Sequence, residues 1–221
     1  MNLKNKSLSP ALGKILKSVT IAAGILLSLI VLASAIQYLR SLRTIGERPL
    51  REYVVATAEK YFGCNEADGS HKQIIDTYNT QDPLPRGYKL SYEDSWCAAF
   101  VSVVMMDAGL EDWVPTECSC QELIALMEKP GDWEESDWYI PQIGDYVFYA
   151  WDHRCIGDCR CWSDHVGIVA GVYGPIIKVI EGNKDDAVGY RYIWAGHPEI
   201  RGYGLPYYHK MAACDVEPWN D

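Results

Sequence analysis

Apolar and polar positions change rhythm along this 221-residue chain. Between Val19 and Ile36 they show no rhythm: eighteen residues, VTIAAGILLSLIVLASAI, carry no charge. That is near the length at which a helix crosses the roughly 30 Å of bilayer hydrocarbon. From residue 50 apolar positions recur at helical spacing. LREYVVATAEKYF (50–62) aligns Leu50, Val54, Ala58 and Tyr61 and stops at Gly63, and residues 70–78 predict a shorter helix with Ser70 as its cap. SWCAAFVSVVMMDAGL predicts a strongly apolar helix from Cys97 to Ala108, ended by Gly109, with Met105 and Met106 in the core. CQELIALMEK predicts another, terminated by Pro130-Gly131. After residue 141 the period becomes two, and strands are expected at 145–150, 165–172, 176–181, 188–194 and 201–205, with Gly174-Pro175 turning the second into the third. Helices first and an antiparallel meander of about five strands afterwards predict an α+β domain whose N-terminal helices pack on the sheet.

The same rhythm divides the chain into a basic segment (1–18), a transmembrane anchor or signal peptide (19–39), a linker (40–50) and one folded domain (51–221). About 170 residues suit a single core. The apolar run has three readings: a retained anchor, a signal peptide cleaved near Ala33-Ser34-Ala35, or a buried helix. Lys4, Lys6, Lys14 and Lys17 before it nearly balance Arg40, Arg43, Arg48 and Arg51 after it, so loop charge does not orient it.

Charge narrows the partners. The net charge is -10, yet residues 1–51 hold eight basic side chains and one acidic, which leaves the rest of the chain at about -17. Such a body repels phosphate backbones, so no nucleic-acid partner is expected. The 15 Tyr and 8 Trp against 3 Phe suit half-exposed grooves for sugars or peptides, although core packing explains them as well; those from Trp133 to Trp151 are expected to cover the sheet.

Cysteine and histidine carry the candidate chemistry. Cys97 stands where polar YEDS meets the apolar helix, and a helix N-terminus favours thiolate over thiol. His165 opens a strand, and the neighbouring strand ends with Glu181 and Asn183, two residues apart and expected on one face, with a glycine between them keeping that end open. A thiolate needs a histidine to hold it or take its proton, and the histidine needs an acceptor to fix its tautomer; these residues supply all three roles. The other cysteines are Cys64, Cys118, Cys120, Cys155, Cys159, Cys161 and Cys214. CIGDCRCWSDH offers zinc-ligand types without a C-x-x-C pair. Disulfides among Cys155, Cys159, Cys161 and Cys118 or Cys120, or unpaired thiols in a reducing setting, are the alternatives. His71, His153, His197 and His209 are expected in solvated surroundings, with a rim role open to His153.

SWCAAFVSVVMMDAGL, PQIGDYVFY, DHVGIVAGV, VIEGNKDDAVGYR and RGYGLP together resemble the cysteine, histidine-dependent amidohydrolase/peptidase (CHAP) domains, papain-like relatives among bacterial and phage cell-wall hydrolases, over roughly 52–208. The resemblance implies a papain-like fold and hydrolysis of a peptidoglycan amide bond by an amidase or endopeptidase. It implies Cys97 as nucleophile, His165 as general base and then acid, and Glu181 and Asn183 as the pair that orients the histidine. It gives the Cys97 backbone N–H as first oxyanion donor. Some members bind calcium before the nucleophile, but Asp82, Glu93 and Asp94 are scattered here, so no cofactor and no obligatory metal are expected. The expected setting is a monomer at the cell membrane, anchored by the N-terminal helix with its catalytic domain outside, or a secreted protein if that helix is cleaved. A binding or scaffold module that keeps the fold without turnover is the alternative function.

Overall fold

The structure, a computed structural model, describes residues 10–43, 46–151 and 161–214. The chain divides into two units, Met1–Gly46 and Glu47–Asp221. The first holds helix α1 (Pro10–Arg43), whose side chains at Val19, Ile25 and Leu32 are exposed. Among the described residues no helix is long and apolar enough to cross a membrane. From residue 33 onward the anchor expected over 19–39 runs mostly into positions whose side chains lie outside the described ones. The linker expected over 40–50 is largely helical at both ends: 40–43 finish α1, and 48–50 form the first turn of α2, with Pro49 where a proline costs no helical hydrogen bond.

The second unit runs α2 (Arg48–Glu59), α3 (Lys72–Tyr78), a 3₁₀ turn (Pro85–Gly87), α4 (Cys97–Asp107), α5 (Cys120–Glu128), β1 (Trp133–Glu134), β2 (Tyr146–Tyr149), β3 (His165–Tyr173), β4 (Ile176–Lys184), β5 (Ala187–Trp194), β6 (Ile200–Gly204) and α6 (Tyr208–Ala213). This is the α+β arrangement the two rhythms predict. The simple meander is corrected: the six-stranded antiparallel sheet has the order β1-β6-β2-β3-β4-β5. β6 returns past the whole sheet to pair with β2, because β2 is buried at every residue and its second edge must be hydrogen-bonded by another strand. Two-residue β1, too short to show a period, then covers the outer edge of β6.

Each face of the sheet carries a buried cluster. Tyr146, Phe148, Val166, Ile168 and Ile180 pack with the helices, and α4, apolar on nearly every side, lies at the centre of that layer. Val147, Tyr149, Val169, Ile177, Val179, Ile200 and Tyr203 form the opposite cluster, covered in part by Tyr139 and Trp151. The aromatic cover expected from Trp133 to Trp151 is therefore partial, since Trp138 is exposed. Ser70 does not cap α3: the helix begins at Lys72 after His71, while the Ser70 hydroxyl is taken up by Asp68 and Asn65.

A buried ionic clamp ties the start of this unit to its sheet. The Arg51 guanidinium reaches Asp145 at 2.7 Å and Glu47 at 2.9 Å, donates to the Ile143 carbonyl, and lies 4.4 Å from the centre of the Tyr208 ring.

Candidate active site at the start of the central helix

Trp96 and Cys97 mark the boundary between polar loop and apolar helix, and the structure shows why it falls there. The buried Trp96 indole donates to Glu66 at 3.0 Å and lies against the His71 ring, centroids 5.9 Å apart. His71 is thus corrected from solvated to buried, its ring nitrogens 3.3 Å from the Asn65 and Tyr92 carbonyls. Cys97 is the first residue of α4, and no side chain caps that end. The amides of the first turn are left to a sulfur or to a developing oxyanion.

His165 begins β3 opposite Tyr149 of β2, and Glu181 lies opposite Gly167 on β4. His165 Nε2 is 3.1 Å from Glu181 Oε2, and the carboxylate is fully buried. A Cβ at Gly167 would meet the Glu181 side chain at 2.6 Å, so the glycine lets the carboxylate cross β3 toward the ring. The Cys97 sulfur interacts with the same ring.

Arg191 of β5, which the sequence reading did not single out, donates from Nε to both Glu181 oxygens, at 2.8 and 3.0 Å. Its guanidinium lies over the Trp151 and Tyr149 rings at 4.8 and 5.5 Å from their centres. Those two rings stack 4.6 Å apart, and both lie 5.9 Å from the His165 ring. Together they form an aromatic wall on the relay.

Asn183 stands apart from this hydrogen bond. The β4–β5 register shifts between Glu181 and Lys184, and Asn183 takes a left-handed φ of 53°, so the alternation that would put it on Glu181's face is broken. Gly182 between them does not keep the end open: a Cβ there would come within 2.4 Å of Phe100 and 2.9 Å of Trp96, so it lets α4 lie close against β4.

The cysteines separate. Cys120, first residue of α5, points its sulfur at Cys97, with 3.6 Å between sulfurs. Cys118 lies near Arg86 instead. Cys155 and Cys159, with His153, lie outside the described residues. Among the described residues no cluster of three His, Cys, Asp or Glu side chains could hold a metal ion. His197 is half-buried against Trp194, and His209 is exposed. Cys120 had a signal in the sequence, a second cysteine opening a second helix. Arg191 had only its place at the end of VIEGNKDDAVGYR, because its reach to Glu181 depends on the register of β5.

Electrostatics favour an ion pair. The Cys120 thiol donating to Cys97 is the largest influence on that sulfur; burial opposes it, but His165 and the Val166 amide add to it and hold the Cys97 thiol well below its ordinary range. Burial alone would lower His165, yet the Cys97 sulfur and Glu181 outweigh it and push the ring up to about 9. Burial would likewise raise Glu181, but His165 and Arg191 keep it below the usual carboxylate range. Cys120, hydrogen-bonded to that sulfur and buried, is pushed well above an ordinary thiol.

Residues 87–183 match the family model of the CHAP domain, a stretch that includes Cys97, Cys120, His165, Glu181 and Asn183 and stops short of Arg191. No curated protein and no solved structure matches the chain.

Proposed function

We propose that this chain, which carries a CHAP domain over residues 87–183, is a cysteine amidohydrolase or peptidase that cuts an amide bond of peptidoglycan through a thioester. The observation that carries the reading is the relay itself: a sulfur at an uncapped helix start, a histidine beside it, and a buried carboxylate 3.1 Å behind the histidine. The Cys97 thiolate attacks the amide carbonyl, and the oxyanion that forms is held by amides of the α4 first turn, that of Cys97 among them. His165, protonated and steadied by Glu181, gives its proton to the leaving amine. It then takes a proton from water, whose oxygen attacks the thioester and releases the acid. Glu181 orients and charges the ring; Arg191 keeps Glu181 ionised and positioned.

The bond cut is either that between N-acetylmuramic acid and L-alanine or a peptide bond of the stem or cross-bridge. The N-terminal segment is proposed to hold this unit at the outer face of a membrane, on the ground of the eighteen uncharged residues from Val19 to Ile36. Mass spectrometry of fragments released from purified peptidoglycan tests the reading. Glycan freed of stems identifies an amidase, and shortened stems or opened bridges an endopeptidase. Equal release by Cys97→Ala overturns the nucleophile.

A further inference from the structure

The relay uses one of two buried cysteines that touch. Cys97 and Cys120 each open a helix, and their sulfurs are 3.6 Å apart. A disulfide needs about 2.05 Å, so the two sulfurs have about 1.5 Å to close.

Cys120 is held in that position by a built loop. The Ser102 hydroxyl of α4 donates to the Glu117 carbonyl at 2.8 Å and accepts from the Glu117 amide at 2.9 Å. The Glu117 carboxylate takes a two-point contact from Arg86, 2.8 Å at each oxygen, and accepts the amides of Cys118 and Ser119 at 2.7 and 3.1 Å. Burial opposes charge on Glu117, but Arg86 and the Cys118 amide hold its carboxyl below the ordinary range. Ser119 then caps α5 by accepting from the Glu122 amide. At the other side of the contact, the Gln121 side chain accepts from the Ser163 amide, two residues before His165. The loop that carries Cys120 is thereby tied both to the nucleophile's helix and to the entry of the histidine's strand.

We propose that Cys97 and Cys120 form a reversible thiol pair, in which a disulfide between them withdraws the Cys97 sulfur from attack and reduction restores it. This rests on the reading of Cys97 as nucleophile. With a peroxide as oxidant, the Cys97 thiolate attacks one peroxide oxygen, the O–O bond breaks, and a sulfenic acid and hydroxide form. The hydroxide takes the Cys120 proton. The resulting thiolate attacks the Cys97 sulfur, the S–O bond breaks, and hydroxide leaves. Two sulfurs are oxidised by two electrons in all, and one peroxide is reduced to water and hydroxide. The low pKa of one thiol and the raised pKa of the other fit this order, one sulfur ready to be oxidised and its neighbour protonated until needed. Cys120 therefore has two roles: reduced, it donates to the thiolate; oxidised, it protects that sulfur from further oxidation.

The test starts from the full chain, reduced and freed of reductant, then treated with hydrogen peroxide, alkylated and digested after glutamate without reduction. Cys97 falls in the fragment Asp94–Glu111, and Cys118 and Cys120 fall in Cys118–Glu122. These two fragments are expected joined in the wild type and in Cys118→Ser, and not in Cys120→Ser. Peroxide is expected to lower both the alkylation rate of Cys97 and peptidoglycan release at least about tenfold, with full recovery in dithiothreitol. Cys120→Ser, measured against its own starting activity, is expected to lose release without recovery, as its sulfenic acid proceeds to sulfinic acid. Absence of the joined fragment in the wild type overturns the proposal with no need of any variant. So does recovery of Cys120→Ser equal to that of the wild type. If the joined fragment forms but Cys97→Ala matches wild-type release, it is the nucleophile reading that fails.

Discussion

Cys97 and Glu181 stand at the two ends of one relay and are placed there by different kinds of structure. Cys97 owes its position to a local boundary, the step from YEDS and Trp96 into an apolar helix whose first turn has no side-chain cap. Glu181 owes its position to register: to Gly167 across the ladder, to Arg191 on the far strand, and to the irregularity that turns Asn183 aside. The comparison teaches that a nucleophile set by one helix end is robust to events elsewhere, whereas a carboxylate set by three strands answers to all of them.

Substitutions along the relay break the comparison at graded cost. Removing the sulfur in Cys97→Ala is expected to lower kcat/KM at least about a thousandfold, read from initial rates of fragment release. His165→Ala is expected to cost about 10²–10⁴ in the same assay, the usual range for a positioned general acid-base. Glu181→Gln keeps the shape but removes the charge behind the ring, and a loss of about 10–100-fold is expected because the imidazolium is no longer stabilised. Its pH profile is the sharper reading. In the wild type, activity falls at low pH as the Cys97 thiolate takes a proton, and falls at high pH as His165 loses its own near about 9. In Glu181→Gln the alkaline limb moves to lower pH, whereas a substitution that only loosened the fold would leave both limbs in place. Asn183→Ala is expected to change kcat/KM by less than about threefold, since Asn183 lies beyond the register shift and the carboxylate at the ring's Nε2 is that of Glu181; a loss equal to that of Glu181→Gln would restore Asn183 to the relay. Gly182→Ala, which forces a methyl against Phe100 and Trp96, acts on stability instead, and a loss of about 1–3 kcal/mol is expected in a denaturant melt.

What could be read from the sequence follows the same division. The helix that begins at Cys97, the strand that begins at His165 and the change from period 3.6 to period 2 are local signals, and they appear in the structure where they were expected. The return of β6 to the edge of β2, the two-residue β1 and the approach of Arg191 are not local: they follow from which edge lacks a partner and which residues a bulge displaces. His71 is buried where solvation is expected for the same reason, since a polar neighbourhood in sequence says nothing of Trp96 folding over it. Cys120 was legible as a helix start, and what it faces came only with the loop anchored at Glu117.

The clamp between Arg51 and Asp145 bears on where this unit can be cut from the rest of the chain. A protein begun at Glu47 keeps the guanidinium with both carboxylates. One begun at Glu52, a single residue past Arg51, strands the Asp145 carboxylate without its cation inside the fold, for about 3–5 kcal/mol. Much of the margin by which an ordinary domain stays folded would then be gone, so the first five residues of this unit set the minimal unit for expression.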